Sequence, residues 1–300
     1  MAEPNELDRA AELIRAGRLV AFPTETVYGL GANALDREAV ARVYGAKGRP
    51  SSSPLIVHVS DTTMARTMAA DWPALADTLA AQFWPGPLTM IVRKADVVPD
   101  LVTAGLNSVG LRVPSHPVAL ELIRRAGVPI AAPSANRFTE ISPTTAAHVR
   151  ASLGEQVDLI LDGGPAQVGI ESTVVSLVRN PPEILRPGMI TKEDLEAATG
   201  VQWQRGNINL PRVMESPGLH PRHYAPRTPF YVLERGEKHP AGRGRVLEMP
   251  NNAREYATAL YARLRAADEE GWEWIAVEKP VETAGWTGIL DRLKRASSRA

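Results

Sequence analysis

Polar side chains that could bind a small molecule follow directly on an apolar run near the amino terminus. Residues 19–22 read Leu-Val-Ala-Phe, which is typical of a buried strand, and Pro23 ends the run because it cannot donate to a sheet ladder. Thr24, Glu25 and Thr26 come next. Hydroxyls and a carboxylate at the end of a strand are typical of ligand sites in α/β sheets. The same residues also fit a tight turn whose threonines cap their own backbone.

Two cations flank the predicted end of a helix. The helix begins after Asp36, a good N-cap, and Gly48 is its expected stop, so Lys47 and Arg49 stand on either side of that end. The loop at 50–54 reads Pro-Ser-Ser-Ser-Pro and leads into the next strand. Together the cations and hydroxyls could cradle a phosphate. Cations here can also merely interact with the helix dipole, and a serine-rich loop is often only a loop.

Two apolar strands carry a polar side chain on one face. Alternation along residues 55–59 and 109–113 separates His58 and Arg112 from their apolar neighbours. A buried arginine needs an anion or a partner carboxylate, because burying it unpaired costs several kcal/mol. Glu25 is the available partner for a salt bridge, and an anionic ligand is the alternative. Both interpretations remain open, and His58 by itself is more typical of a structural residue.

Further strand ends in the first two thirds of the chain carry small polar or cationic groups. Ser134 and Asn136 follow the strand at 128–132, and Arg186 ends the strand at 184–186. Helices alternate with these strands, which predicts an α/β fold.

Residues 201–229 lack periodicity and are rich in proline, which indicates an interdomain linker. The alternating strands and helices at residues 230–300 predict a small parallel-sheet domain.

Composition narrows the classes of protein that remain. The 300 residues include 34 Lys and Arg against 34 Asp and Glu, so a broad non-specific nucleic-acid binder is disfavoured. The chain has no cysteine, which excludes disulfides, thiolate zinc sites and cysteine nucleophiles. It has no apolar run of membrane-spanning length and no apolar leader, so we expect a cytoplasmic protein.

Several short motifs, taken in order, resemble those of the YrdC-like family. They lie at residues 23–31, 46–50, 54–58, 83–89, 109–114 and 132–136. Further motifs resemble its two-domain branch, the threonylcarbamoyl-AMP synthases, and lie at residues 171–174, 186–188, 216–218 and 222–226. A single motif of this kind is weakly specific, whereas this many in one order is a highly specific signal.

The resemblance implies both the fold and the domain organisation. The expected fold class is α/β, with a twisted, mostly mixed sheet that forms a large concave basic cleft, and with a small Rossmann-like α/β domain after it. The YrdC-like catalytic domain is expected at residues 1–200 and the Rossmann-like domain at 230–300. From its own polar and aromatic residues, which could meet phosphate or adenine, the linker at 201–229 is expected to act as an active-site lid. A stiff connector between two folded domains is the alternative.

The resemblance also implies an activity. Family members form L-threonylcarbamoyladenylate and pyrophosphate from L-threonine, bicarbonate or CO₂, and ATP, and are nucleotidyltransferases. The product serves the synthesis of N6-threonylcarbamoyladenosine at position 37 of tRNA and passes to a downstream tRNA threonylcarbamoyl transferase complex. Mg²⁺ is expected with ATP, and direct binding of nucleic acid is possible but not required.

Site residues carry over by matching motifs. The expected catalytic residues are Lys47 and Arg49. The expected threonine ligands are Thr26, His58, Arg112, Ala132 and Ser172. The expected ATP ligands are Arg49, Ser53, Ser108, Ser134, Asn136, Ser142, Arg186 and Tyr224. One departure is that serines occupy residues 51–53, where asparagine is frequent in the family.

Two other classes of function fit parts of the same pattern. A double-stranded RNA-binding or tRNA-binding module would also use a basic concavity, but the balanced charge and the hydroxyl-rich strand ends disfavour it. A carbamoyl-transfer or phosphate-hydrolysing enzyme on the same scaffold is harder to separate by sequence.

Overall fold

The computed structural model describes residues 4–206 and 223–297, and it contains two β-sheets with α-helices around them. The strands are β1 (Val20–Phe22), β2 (Gly29–Asn33), β3 (Ile56–His58), β4 (Leu88–Arg93), β5 (Ser108–Arg112), β6 (Ile130–Ala131), β7 (Leu159–Ile160), β8 (Thr173–Ser176), β9 (Glu183–Arg186), β10 (Gln204–Arg205), β11 (Phe230–Leu233), β12 (Gly244–Val246) and β13 (Trp274–Glu278). The helices are α1 (Pro4–Arg15), α2 (Arg37–Lys47), α3 (Thr62–Thr67), α4 (Ala74–Phe83), α5 (Asp100–Thr103), α6 (Pro117–Ala126), α7 (Ala146–Leu153), α8 (Lys192–Thr199), α9 (Ala253–Glu269) and α10 (Thr287–Ala296). Short 3-10 helices lie at Gly154–Gln156 and Ala284–Trp286.

The first sheet has ten strands in the order β10-β9-β8-β4-β5-β3-β6-β2-β1-β7. It mixes both kinds of pairing: β3 runs parallel to β5, for example, whereas β4 runs antiparallel to β5. This confirms the mixed sheet that the resemblance implies. The pairing of β10 with β9 carries the sheet to Arg205, whereas the catalytic domain is predicted to end at residue 200.

The centre of this sheet brings two predicted site residues together. His58 of β3 lies directly opposite Arg112 of β5 in the register of the parallel pair. Val57 belongs to the hydrophobic core, whereas its neighbour His58 faces the opposite side of the sheet. Both strands therefore have the alternation that the sequence predicts.

Helix α2 begins and ends where its capping residues predict. The Asp36 side chain accepts hydrogen bonds from the backbone nitrogens of Glu38 and Ala39. Gly48 ends the helix with φ of 60°, a left-handed conformation that glycine adopts without strain. This turn fixes the direction in which Lys47 and Arg49 leave the helix.

The second sheet is small and entirely parallel, with the order β11-β13-β12. Helices α9 and α10 follow β12 and β13 in the chain. This matches the predicted α/β character of the carboxyl-terminal region. Within the described residues, no helix is both long enough and apolar enough to cross a bilayer.

A shared core joins the second sheet to loops of the first region. The cluster contains Leu260 from α9 and Ile289 from α10 together with Val27 and Ile170 from the first region. Because burial of apolar surface stabilises such contacts, the two regions are held together beside the loops that carry the predicted site.

Candidate active site

The predicted threonine and ATP residues meet at one small cavity of about 50 Å³. It is lined by Thr24, Thr26, Val27, Gly29, Arg49, Ile56, His58, Arg112, Ala132, Pro133, Ser134, Glu171, Ser172, Arg186, His223 and Tyr224. All of the predicted threonine ligands are in this set. The predicted ATP ligands in it are Arg49, Ser134, Arg186 and Tyr224.

We call the predicted threonine ligands of the cavity its threonine half, and Arg112 is the cation among them. Its Nη2 atom lies 2.8 Å from Oε1 of Glu25, and the side chains of both residues are only 4% exposed. The Nη1 atom donates to Oγ1 of Thr26 at 3.0 Å, and Nε donates to the Gly86 carbonyl at 3.2 Å. The salt bridge that the sequence left open is therefore present. Nη2 carries two N–H groups, so it can pair with Glu25 and still offer an N–H to an anion in the cavity that Arg112 lines.

The turn after β1 combines both roles that the sequence left open for its threonines. Thr24 Oγ1 donates to the Val27 carbonyl at 2.6 Å, which caps the turn. It also lies 2.8 Å from Oγ1 of Thr26. Thr26 thus links the capped turn to Arg112, and its hydroxyl is fixed in direction beside the cavity.

His58 is a neutral side chain at the floor of the cavity. Burial, followed by the charge on Arg112, lowers the pKa of His58 to about 3. Its ring packs edge-on against Phe22 with centroids 6.0 Å apart. Nδ1 has no hydrogen-bond partner among the described residues. At neutral pH, His58 is therefore an uncharged imidazole. It can bind a ligand by a hydrogen bond, but it is not an imidazolium that could act as a general acid.

We call the predicted ATP ligands of the cavity its phosphate half. Two buried cations stand there at the end of α2, and of these Arg49 lines the cavity whereas Lys47 does not. Lys47 Nζ donates to the carbonyls of Ser134, at 2.5 Å, and of Asn136. Arg49 donates to the hydroxyl of Ser53 and, at 3.1 Å, to the carbonyl of Pro54. Neither cation forms an ion pair with a carboxylate in residues 4–206 or 223–297. Both can therefore gain from an anionic ligand.

Burial shifts the protonation of these two cations in the same direction. The pKa of Lys47 lies well below its ordinary value, because of burial first and the charge of Arg49 second. Burial lowers the pKa of Arg49 to about 10, so its guanidinium stays charged at neutral pH. The negative charge of a bound phosphate would raise the pKa of both cations again.

Ser172 connects the two halves of the cavity. Its hydroxyl lies 2.8 Å from Oγ1 of Thr89 and accepts from Nη2 of Arg186 at 3.1 Å. Arg186 also donates through Nε to the Ser172 carbonyl at 3.1 Å. The residue expected to bind threonine thus directly holds a cation expected to bind phosphate.

Some predicted ligands lie behind the cavity rather than in its wall. Ser53 supports Arg49, and the Asn136 amide donates to the carbonyls of Arg137 and Glu140. Ser142 donates to Glu171 at 2.6 Å. Ser108 begins β5 and lines a separate narrow crevice with Pro54 and Thr103. The structure does not bring Ser108 together with the others.

The predicted lid segment reaches the cavity at its last residues. His223 and Tyr224 line it, whereas residues 207–222, which include the motif at 216–218, lie outside the described residues. The hydroxyl of Tyr224 is buried and has no hydrogen-bond partner among the described residues. The ring stacks on Tyr261 of α9 with centroids 5.9 Å apart.

Two groups near the site were missed by the sequence analysis. Glu171 lines the cavity, but it entered only as part of a motif. Arg292 on α10 is fully buried and forms an ion pair with Glu171 at 2.8 Å. A signal for Arg292 exists, since it stands between Ile289 and Leu293 in the apolar stripe of its helix.

The fold and this site define an α/β protein in which one cavity is lined by both hydroxyl groups and buried cations. The chain belongs to the Sua5/YciO/YrdC family, whose model, described as "Telomere recombination", matches residues 12–188. A second model, described as "Threonylcarbamoyl-AMP synthase, C-terminal domain", matches residues 190–298. Both family matches confirm the resemblance found in the motifs.

Individual relatives are similar over nearly the whole chain. A threonylcarbamoyl-AMP synthase of Bacillus subtilis strain 168 is 41% identical, covering 97% of this chain and 93% of the relative. One of Pyrococcus abyssi is 39% identical, covering 96% and 93%. The crystal structure of P. abyssi Sua5 complexed with L-threonine superposes with a TM-score of 0.90 at 36% identity, covering 98% of this chain and 95% of that one.

Proposed function

We propose that this chain is an L-threonylcarbamoyladenylate synthase, which makes threonylcarbamoyl-AMP and pyrophosphate from L-threonine, bicarbonate or CO₂, and ATP. The observation that carries the proposal is the cavity itself. Its lining includes Arg112, which is paired with Glu25, and Arg49, which has no carboxylate partner among the described residues. Relatives of the same name over nearly the full length support the same activity.

The threonine half binds the amino acid through fixed donors. A carboxylate can accept from an N–H group of Arg112 that its protein partners do not use, because charge-assisted hydrogen bonds of guanidinium to carboxylate are short and directional. The hydroxyls of Thr26 and Ser172 orient the rest of the substrate. Glu25 keeps Arg112 in place while the site is empty, so little reorganisation is needed on binding.

The chemistry requires two bonds to form. The threonine nitrogen bonds to the carbon of CO₂ and loses a proton, which gives a carbamate. A carbamate oxygen then attacks the α-phosphorus of ATP, and pyrophosphate leaves with the electrons of the broken P–O bond. Two anions must meet, so the barrier is largely electrostatic. Lys47, Arg49 and Arg186 are the groups that lower it, and no covalent protein nucleophile is involved.

Mg²⁺ is part of the proposal as a partner of ATP. The described residues contain no group of three or more metal-ligating side chains, and both carboxylates beside the cavity, Glu25 and Glu171, are paired with arginines. This donor set suits an ion carried mainly by phosphate oxygens, where it would offset their charge. Delivery of the product to a tRNA threonylcarbamoyl transferase complex, and a cytoplasmic location, are further parts of the proposal.

A substrate matrix tests the activity. Pyrophosphate release is measured with ATP and Mg²⁺, with and without threonine and with and without bicarbonate, and mass spectrometry identifies the adenylate. We expect release only when all substrates are present. Undiminished pyrophosphate release without threonine would contradict the proposal. Release of inorganic phosphate without threonine would instead favour a phosphate-hydrolysing enzyme.

A further inference from the structure

One buried arginine of the carboxyl-terminal region contacts the loops of the candidate site. Arg292 on α10 is 0% exposed. Its Nε donates to Oε2 of Glu171 at 2.8 Å, and its Nη2 donates to the backbone carbonyl of the same residue at 3.2 Å. Its Nη1 donates to the carbonyl of Pro187 at 2.8 Å. The planar guanidinium therefore ties together two loops of the other region.

Each of these loops carries a predicted ligand next to the contacted residue. Glu171 precedes Ser172, and Pro187 follows Arg186. Ser172 and Arg186 bond to each other through both the hydroxyl and the carbonyl of the serine. Arg292 thus sets the spacing of the two backbones on which the threonine half and the phosphate half are joined.

The helix that carries Arg292 is seated directly on one of these loops. A Cβ atom on Gly288 of α10 would lie 2.7 Å from the Gly188 carbonyl oxygen, so the two backbones are in close contact. Gly188 lies two residues after Arg186. A change in the position of α10 would consequently be transmitted to the phosphate half of the cavity.

Arg292 also neutralises a carboxylate that lines the cavity. Burial raises the pKa of Glu171, but Arg292, Arg186 and a hydrogen bond from Ser142 outweigh it, so the net pKa lies below its ordinary value. Tyr261 of α9 adds a hydrogen bond to Oε2 at 3.0 Å. The carboxylate stays ionised, and without Arg292 its charge would repel the incoming phosphates.

We infer that Arg292 is a positioning residue through which the carboxyl-terminal region sets the geometry and charge of the active site. This rests on the proposed synthase function. Arg292 does not line the cavity, so its effect on substrates passes through Glu171, Ser172 and Arg186. The carboxyl-terminal region is thereby required for substrate binding, in addition to any part it has in stability.

The test compares full-length Arg292→Met, Arg292→Lys and the control Lys294→Met, an exposed cation on the same helix. KM for threonine and for ATP, kcat and Tm are measured for each. In Arg292→Met we expect KM to rise for both substrates and kcat/KM to fall on the order of 100-fold, the loss typical of a misplacement of about 1 Å. Arg292→Lys should recover part of this, because an ammonium neutralises Glu171 but cannot bridge both carbonyls. Lys294→Met should match wild type.

The outcomes separate positioning from simple stability. If Arg292→Met and Arg292→Lys keep wild-type KM for both substrates and lose only Tm or the active fraction, the inference is overturned. Should Arg292→Met fail to fold, Arg292→Lys and Tyr261→Phe decide the matter by the same KM values. Wild-type protein that shows no threonine-dependent pyrophosphate release would refute the proposed function instead, which distinguishes the two failures.

Discussion

The two regions of the chain hold some of their buried cations in different ways. In residues 4–206, Lys47 and Arg49 are held by backbone carbonyls and a serine hydroxyl. In residues 223–297, Arg292 and Arg295 share Asp291, and Arg292 also pairs with Glu171. Among the described residues, Lys47 and Arg49 have no carboxylate that offsets their charge, whereas Arg292 and Arg295 do.

The pKa values of these buried cations differ in the same way. Burial lowers the pKa of Lys47, and the neighbouring cation Arg49 lowers it further. Burial opposes the charge of Arg292 as well, but acidic groups around it outweigh burial and raise its pKa above the ordinary value. A buried charge without a counter-charge costs free energy that a ligand can return. The difference therefore separates cations whose charge a ligand could offset from cations whose charge the protein already offsets.

Arg112 belongs to both kinds, and the largest expected effect tests which role dominates. Arg112→Met leaves Glu25 buried and unpaired, so we expect a loss of about 3–5 kcal/mol in the free energy of unfolding. Threonine affinity should fall as well. In the double variant Glu25→Gln/Arg112→Met the unpaired charge is gone, and the new amide oxygen can still accept from the backbone nitrogen of Ser115. Stability should then return while threonine affinity does not.

Urea unfolding and calorimetric titration of threonine measure both quantities on the same proteins. Glu25→Gln alone is the matched control, since it keeps Arg112 and frees it from its carboxylate. If the double variant regained threonine affinity together with stability, Arg112 would serve only the fold.

The second effect concerns the cations at the end of α2. Arg49 has no carboxylate partner among the described residues, so a bound phosphate would be its counter-charge. Arg49→Ala should therefore weaken the binding of ATP by ~2–5 kcal/mol, the range found when one member of a buried charge pair is removed. Threonine affinity should change far less. Arg66→Ala, which removes an exposed arginine paired with Asp77, is the control. Calorimetric titrations with equal losses of ATP and threonine affinity in Arg49→Ala would remove the distinction between the two halves.

Much of this arrangement could be read from local sequence signals. The caps of α2 predicted where Lys47 and Arg49 lie, and strand alternation predicted that His58 and Arg112 each lie opposite their apolar neighbours. These signals involve residues that are close together in the chain, so they can be recognised in a single sequence. The family resemblance extended them to residues such as Ser172 and gave the fold class.

The partners of these groups could not be read in the same way. The pairing of Glu171 with Arg292 joins residues 121 positions apart, and it depends on how α10 packs against the first region. No local pattern encodes that packing. An arginine in an apolar helix stripe signals that a buried partner exists, but it does not say which residue the partner is.

The smallest expected effect is the loss of stability at acidic pH, which begins at a different pH in each of the two regions. The pKa of His58 has its ordinary value of 6.5 in the unfolded chain and is about 3 in the native protein. The unfolded state therefore holds more protons between these values. The contribution of neutral His58 to stability is fully present above pH 6.5 and falls by about 1.4 kcal/mol per pH unit as the pH drops from 6.5 toward about 3. The pKa of Glu171 lies below 4.5, so the carboxyl-terminal ion pair adds its own loss only in more acidic solution.

Urea unfolding of wild type and His58→Gln at several pH values between 7.5 and 5 measures this contribution. The other ionisable groups act in both proteins, so the difference between the two curves isolates His58. We expect the variant to lose less stability across this range, because glutamine has no proton to bind there. Parallel curves would mean that His58 titrates alike in the folded and unfolded states, and that the site does not hold it neutral by burial and by the charge of Arg112.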